Sequence, residues 1–165
     1  MPKELIKKES VLNHAIRTTV SSLTLEEQRL ILVAAISETS GENNSSNLNT
    51  NPEPKKRICI STYATLFNVS EKEAYQILLK AADQLFERDY SYEYHNQEGH
   101  LVNVISRIIS AFSYADSELE LDISFVNDFF PLLEKIKTNL SDYNQKQPKN
   151  LKNNFFLVEQ DLIHL

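Results

Sequence analysis

The sequence predicts an α+β fold, a winged helix-turn-helix with a three- to four-stranded antiparallel sheet. Three observations carry that expectation. A short helical run, Thr62 to Phe67, is followed by the turn Asn68-Val69-Ser70 and a longer capped helix. After that helix the apolar period changes from helical to alternating, and several strand-like runs follow. Only two glycines, Gly41 and Gly99, occur in 165 residues, which disfavours folds built on phosphate-cradling glycine loops.

Each element has a local reason. Val11 to Val20 reads as a short helix. Thr24 opens a clearer one, because Thr24 and Glu27 have the spacing at which hydroxyl and carboxylate each satisfy a free amide. Leu25, Leu30, Ile31, Val33, Ala34 and Ile36 give it a broad apolar face. Ser40 to Pro54 holds one aliphatic residue, Leu48, so it has nothing to bury and reads as a flexible insert. Arg57 to Ile60 alternates like a short strand. Ser70 and Glu73 repeat the capping box, and Ala74, Leu78, Ala81 and Leu85 then mark one side of a helix that runs to about Arg88. Tyr90, Tyr92 and Tyr94 fall on one side of a strand, and Asn96 to His100 turns around Gly99. Val102 to Tyr114 is β-branched and reads as one long strand. Ala115-Asp116-Ser117 turns into a strand in which Leu119, Leu121 and Ile123 alternate with Glu118, Glu120 and Asp122. A last helix carries Val126, Phe129, Leu133, Ile136 and Leu140, with Pro131 tolerable only near its first turn. Asp142 to Asn154 is a polar spacer, part of a total of 15 asparagines, and the eleven residues after it are too few to fold alone.

Composition narrows the function classes. Hydrophobic residues at 41% and charged residues at 24% allow one sizeable core. Seventeen Lys plus Arg against 23 Asp plus Glu give a net charge of −6, which argues against a generic polyanion binder unless the cations cluster. The single Cys59 excludes an intrachain disulfide and a multi-cysteine zinc site. No apolar run approaches the roughly 20 residues that span a bilayer. The start, MPKELIKKES, lacks a signal-peptide stretch, so a cytoplasmic protein with no membrane partner is expected.

Enzyme signatures are missing: there is no Walker A sequence, GxGxxG, GxSxG or HExxH. His14, His95, His100 and His164 are scattered, although His95 and His100 flank the Gly99 turn. Cys59 reads as a small hydrophobe in a strand. Glu118, Glu120 and Asp122 read as a solvated face. No catalytic residue, metal ligand or cofactor site is expected.

Lys72, Gln76 and Lys80 lie four apart on a stripe away from the apolar face, suiting phosphate contact and base-edge reading in a major groove. Glu71, Glu73, Asp83 and Glu87 share that helix, so a merely solvated outer face is the competing reading. Lys55-Lys56-Arg57 is the one basic run, able to reach a phosphate backbone or only to solubilise. Tyr90, Tyr92 and Tyr94 suit either base stacking or packing at a subunit interface.

Several local sequences coincide with one family. They are Leu12-Asn13 with Ala15; Glu27-Gln28-Arg29-Leu30-Ile31; Tyr63-Ala64 with Phe67-Asn68-Val69-Ser70; Ala74-Tyr75-Gln76 through Leu78, Ala81, Leu85-Phe86 and Arg88; Ser106-Arg107; and Pro131-Leu132-Leu133. In this order, from about Leu12 to Tyr143, the chain resembles the N-terminal winged-helix domain of RepB-type initiators of iteron-containing, theta-replicating plasmids. The resemblance implies a dimer that binds operator DNA to repress its own gene and a monomer that binds iterons to open the origin. It also implies that this first domain contacts DNA mainly through the backbone, while a second winged helix reads the bases. Ile108 stands where the family often has tryptophan, and Leu79 where it often has lysine.

On that basis Lys72, Gln76 and Lys80 are the expected DNA residues, with Arg107, Lys55, Lys56 and Arg57 as backbone contacts. Arg29 is expected to tie helices together. The sheet from Tyr90 to Ile123, including Tyr90, Tyr92, Tyr94, Ile108, Leu119 and Leu121, is the expected dimer interface. Residues 1–141 are expected to form the winged-helix domain, with its flexible insert at 40–54. Residues 142–165 are expected to be a polar linker and short divergent tail in place of the second domain. Expected partners are double-stranded DNA of an origin or operator, a second copy or a full-length initiator, and host replication proteins. Two alternatives stay open: an operator-binding repressor, and a partner that forms mixed dimers with a full-length initiator without touching DNA.

Overall fold

The computed structural model describes residues 3–37, 39–40, 55–115 and 119–163. Its elements are α1 (Lys3–Ser22), α2 (Leu25–Ile36), β1 (Thr39–Ser40), β2 (Lys55–Cys59), α3 (Ile60–Phe67) and α4 (Glu71–Phe86). They continue with β3 (Asp89–His95), β4 (Leu101–Arg107), β5 (Ile109–Tyr114) and β6 (Glu120–Phe125). A short 3-10 turn at Asn127–Phe129 leads into α5 (Phe130–Lys146), and α6 (Leu151–Ile163) follows.

Helix α2 is the axis of the molecule. Thr24 and Glu27 form the expected capping box: Thr24 Oγ1 accepts from the Glu27 amide at 3.2 Å, and Glu27 Oε1 accepts from the Thr24 amide at 3.4 Å. Leu30 to Ala35 are then buried without interruption. A helix apolar all round needs cover on several sides, and α4 and α5 both pack against α2.

The helix-turn-helix follows the sequence closely. Asn68 closes α3 in the left-handed conformation, φ +54°, which asparagine tolerates better than most residues. Ser70 Oγ accepts from the Glu73 amide at 3.1 Å, while the return bond that would complete a second capping box is not formed. Ala74, Leu78, Ala81, Ala82 and Leu85 of α4 are buried as the spacing predicts.

The strands differ from expectation in one respect that changes the architecture. The run Val102 to Tyr114 is two strands in two sheets. Ile108 and Ile109 are both fully buried, and consecutive residues of a straight strand cannot face one core. The chain therefore kinks at Ile108, whose carbonyl accepts from Val126 N at 3.1 Å, and the pairing slips between Ile109 and Ala111. Strands β3 and β4 form a separate two-stranded hairpin, while the main sheet is antiparallel with order β1-β2-β6-β5. Helix α4 and the non-sequential order β2-β6-β5 make β5–β6 the wing, rather than the ribbon directly after α4. Residues 41–54 of the expected flexible insert at 40–54, and Asp116 and Ser117 of the expected Ala115–Ser117 turn, lie outside the described residues; Ser40 itself pairs with Lys55.

The hairpin packs through its tyrosine face. Tyr90 and Tyr92 are buried and stacked, with centroids 6.4 Å apart, and α1 lies against β3. Tyr90 Oη donates to Asp128 at 2.7 Å. Burial pushes the hydroxyls of Tyr63, Tyr90 and Tyr92 above the ordinary tyrosine value. Below about pH 10 these groups are neutral whether the chain is folded or not. Above it the unfolded chain ionises first, so their contribution to stability falls as pH rises. Tyr90→Phe is expected to cost about 1 kcal/mol near neutrality. It should also flatten the drop in melting temperature between about pH 8 and about pH 11. Thermal unfolding at the two pH values checks this.

Residues 142–163 also differ from a spacer and a tail. Helix α5 runs on to Lys146, and α6 buries Asn154, Phe155, Val158, Glu159 and Leu162, a helical stripe facing α5, α1 and α2. Helix α1, expected from Val11, begins at Lys3.

Candidate nucleic-acid interface

Burial on α4 separates its two sides. Lys72, Gln76 and Lys80 are exposed, opposite the buried Ala74, Leu78, Ala81 and Leu85. A step of four residues drifts only slowly around a helix, so the three side chains form one outward stripe along its N-terminal half. Asp83 and Glu87 continue the same side toward the C-terminus, and Glu71 and Glu73 occupy the first turn, where acidic groups complement the helix dipole. The stripe is thus cationic where α4 begins and acidic where it ends.

Alongside α4 lies the β5–β6 hairpin, joined to it by an aromatic row. Tyr75 stands nearly perpendicular to Tyr114, 82° and 6.4 Å, and Phe86 meets Phe112 at 5.8 Å. Phe112 and Tyr114 stack at 6.5 Å. Sequence reasoning missed this row. Its signal was the alternation Phe112, Tyr114 at the end of an apolar run, hidden by treating that run as one strand.

The other expected DNA residues make contacts within the fold. Arg107 is exposed, but its guanidinium donates to the Phe86 carbonyl at 2.6 Å and lies over the Phe86 ring, closing the end of α4. In β2 the alternation is set by Lys56 and Ile58 pointing inward, so Lys55, Arg57 and Cys59 point out. Lys56 is therefore buried, and burial together with nearby Lys137 lowers its pKa. Arg57 pairs with Asp122 at 3.1 Å and Glu120 at 3.5 Å across the sheet, so the acidic row is a salt-bridged face. Cys59 is exposed rather than a core hydrophobe. Its Sγ lies 2.9 Å from Ser61 Oγ, and that contact holds the thiol below its ordinary value.

Arg29 does tie helices together: Nε donates to Glu159 Oε1 at 3.0 Å, joining α2 to α6, and the guanidinium lies over Phe67. Of the residues expected at the dimer interface, Tyr90, Tyr92, Ile108 and Leu121 are buried within the protomer. Tyr94 is half-buried under Lys8, and Leu119 is exposed. The exposed apolar residues of the hairpin are instead Leu101 and Ile105 on β4, the latter 76% exposed. Strand β4 pairs only with β3 among the described residues. His95 and His100 end the hairpin, where His100 Nδ1 lies 3.4 Å from Glu98. Among the described residues no three His, Cys, Asp or Glu side chains are grouped to hold a metal ion, and no helix is long and apolar enough to cross a membrane.

The comparisons with known proteins agree with this architecture. A family model described as Initiator Replication protein, WH1, matches residues 5–155. The fold is similar to the crystal structure of the WH1 domain of MSBI1.176, a replication protein isolated from a multiple sclerosis patient. The two are 28% identical, with a TM-score of 0.62 over 83% of this chain and 98% of that one. A more distant likeness is the Pi initiator protein in complex with iteron DNA, 16% identical, with a TM-score of 0.48 over 74% of this chain and 50% of that one. No curated protein sequence gives a match. With the family model matching residues 5–155, nearly the whole chain, this protein belongs to the WH1 family of replication initiator proteins.

Proposed function

We propose that residues 3–163 act as one DNA-binding winged-helix unit in plasmid replication initiation, by binding and self-association rather than by catalysis. The observation that carries this is the exposed stripe Lys72, Gln76 and Lys80 on α4, set beside the β5–β6 wing in a chain of the initiator family. Two lysines and one glutamine supply phosphate contacts and little base reading. That composition favours a half of the interface that positions the protein on an origin or operator duplex. Arg107 supports it by closing the end of α4, and exposed Lys55 adds a cation on β2, where Lys56 is buried and Arg57 is paired with Asp122 and Glu120.

The test is a salt titration of binding to iteron, operator and random duplexes. In the Lys72→Ala, Lys80→Ala double variant, the slope of log affinity against log salt is expected to fall by about two, and affinity to drop on every duplex. A slope equal to wild type would remove α4 from the interface.

Self-association is supported by a specific feature, the open edge of β4 with Leu101 and Ile105 exposed. A long apolar edge strand is a template for pairing with another strand, and an antiparallel β4–β4 contact would join two hairpins into one four-stranded sheet. The same edge would accept β4 of a full-length initiator. Sedimentation of the purified chain, alone and mixed with such an initiator, reads both outcomes. A Leu101→Lys, Ile105→Lys variant should sediment as a monomer.

A further inference from the structure

We propose that Tyr114 belongs to the DNA interface, its hydroxyl donating a hydrogen bond to a backbone phosphate at the N-terminal end of α4. The assignment rests on the DNA-binding reading above and names a residue for it outside α4.

Tyr114 is the last residue of β5. Its ring is held on two sides, stacked on Phe112 at 15° and met nearly at right angles by Tyr75. Phe112 is braced in turn by Phe86, under the Arg107 guanidinium. The row runs the length of α4 and fixes the terminal ring to both the helix and the hairpin. Yet Tyr114 remains 51% exposed. Its hydroxyl has no hydrogen-bond partner among the described residues, whereas Tyr90 and Tyr143 donate theirs to Asp128 and Asp161 at 2.7 Å each. A rigid tyrosine with an open hydroxyl is a donor already ordered for a ligand.

The ligand follows from position. Lys72 lies three residues before Tyr75, one turn along the same helix. The cation and the hydroxyl therefore flank one end of α4, where it faces the wing. A helix lying in a major groove has phosphodiester backbone along both sides, so donors flanking its end are placed to meet a phosphate. A neutral donor beside a lysine fits a phosphate oxygen, and hydrogen bonds to a charged acceptor are among the stronger ones.

Tyr114→Phe tests the assignment, because it keeps the ring stack and removes only the donor. Affinity is expected to fall about tenfold on iteron, operator and random duplexes alike. The salt slope should stay at the wild-type value, since a neutral donor displaces no counterion, whereas Lys72→Ala should lower it by about one. Thermal unfolding of Tyr114→Phe should match wild type. Wild-type affinity in Tyr114→Phe overturns the proposal. So does full binding by Tyr114→Phe with a loss only in Tyr114→Ala, which would assign the ring to stacking on a base. A wild-type chain that binds none of the duplexes would overturn the DNA reading itself, a result distinct from a silent Tyr114→Phe.

Discussion

Arg88→Ala is expected to destabilise the domain by about 3 kcal/mol, more than removal of its fully buried partner Glu27. The Glu27 side chain has no exposed surface, while that of Arg88 is 42% exposed. Two guanidinium nitrogens meet the carboxylate, Nε to Oε2 at 3.2 Å and Nη2 to Oε1 at 2.9 Å. Glu27 Oε1 also accepts from Thr24 Oγ1 at 3.0 Å as part of the α2 cap. Taking away Arg88 leaves a carboxylate out of water with only the cap to satisfy it. Taking away Glu27 leaves a guanidinium that water can reach. Glu27→Ala therefore loses the cap and the pair, about 2 kcal/mol, without stranding a charge. The double variant should lie near Glu27→Ala, because the stranded carboxylate has then gone. Denaturant unfolding of the three variants measures the order. If Arg88→Ala proves no worse than Glu27→Ala, the carboxylate is better solvated than its burial indicates. The pair fixes the end of α4 to the start of α2, so a loss here should also loosen the helix that presents Lys72, Gln76 and Lys80.

The helix-turn-helix was readable because its signals are local. Thr24, Ser70 and Asn68 act within four residues of themselves, and the α4 stripe follows from helical spacing alone. What could not be read depends on contacts distant in sequence. Nothing in Val102 to Tyr114 says that Ile108 and Ile109 must face the same core, since that is decided by α4 and β6. Missing that kink merged the hairpin with the wing, and four of the six residues expected at the dimer face, Tyr90, Tyr92, Ile108 and Leu121, are buried within the protomer. The register of β2 was hidden for the same reason: a one-residue choice, set by pairing with β6, turns Lys56 inward and Cys59 outward. Local charge pattern found Lys72, Gln76 and Lys80, but gave no means of seeing that Arg107 and Arg57 already have partners within the fold.

Phe155→Ala is expected to cost about 3–4 kcal/mol, whereas Phe156→Ala, one residue on, should cost less than about 1. Both phenylalanines lie in a segment whose polar start, Leu151-Lys152-Asn153-Asn154, reads as spacer. In the structure Phe155 is 2% exposed, with its ring edge-on to Phe67 of α3 at 5.6 Å, while Phe156 is 37% exposed. The same side of α6 carries Glu159, paired with Arg29, and Tyr143 of α5 donates to Asp161 farther along. Removing the Phe155 ring would leave a cavity among α2, α3 and α6 that these polar links prevent from collapsing freely, so the cost should approach that of a core phenylalanine. Equal, small losses for the two variants would mean that α6 is not docked and that Arg29 has another partner. A large loss confined to Phe155 would make α6 an integral part of the domain, bracing α3 and through it the turn that sets α4.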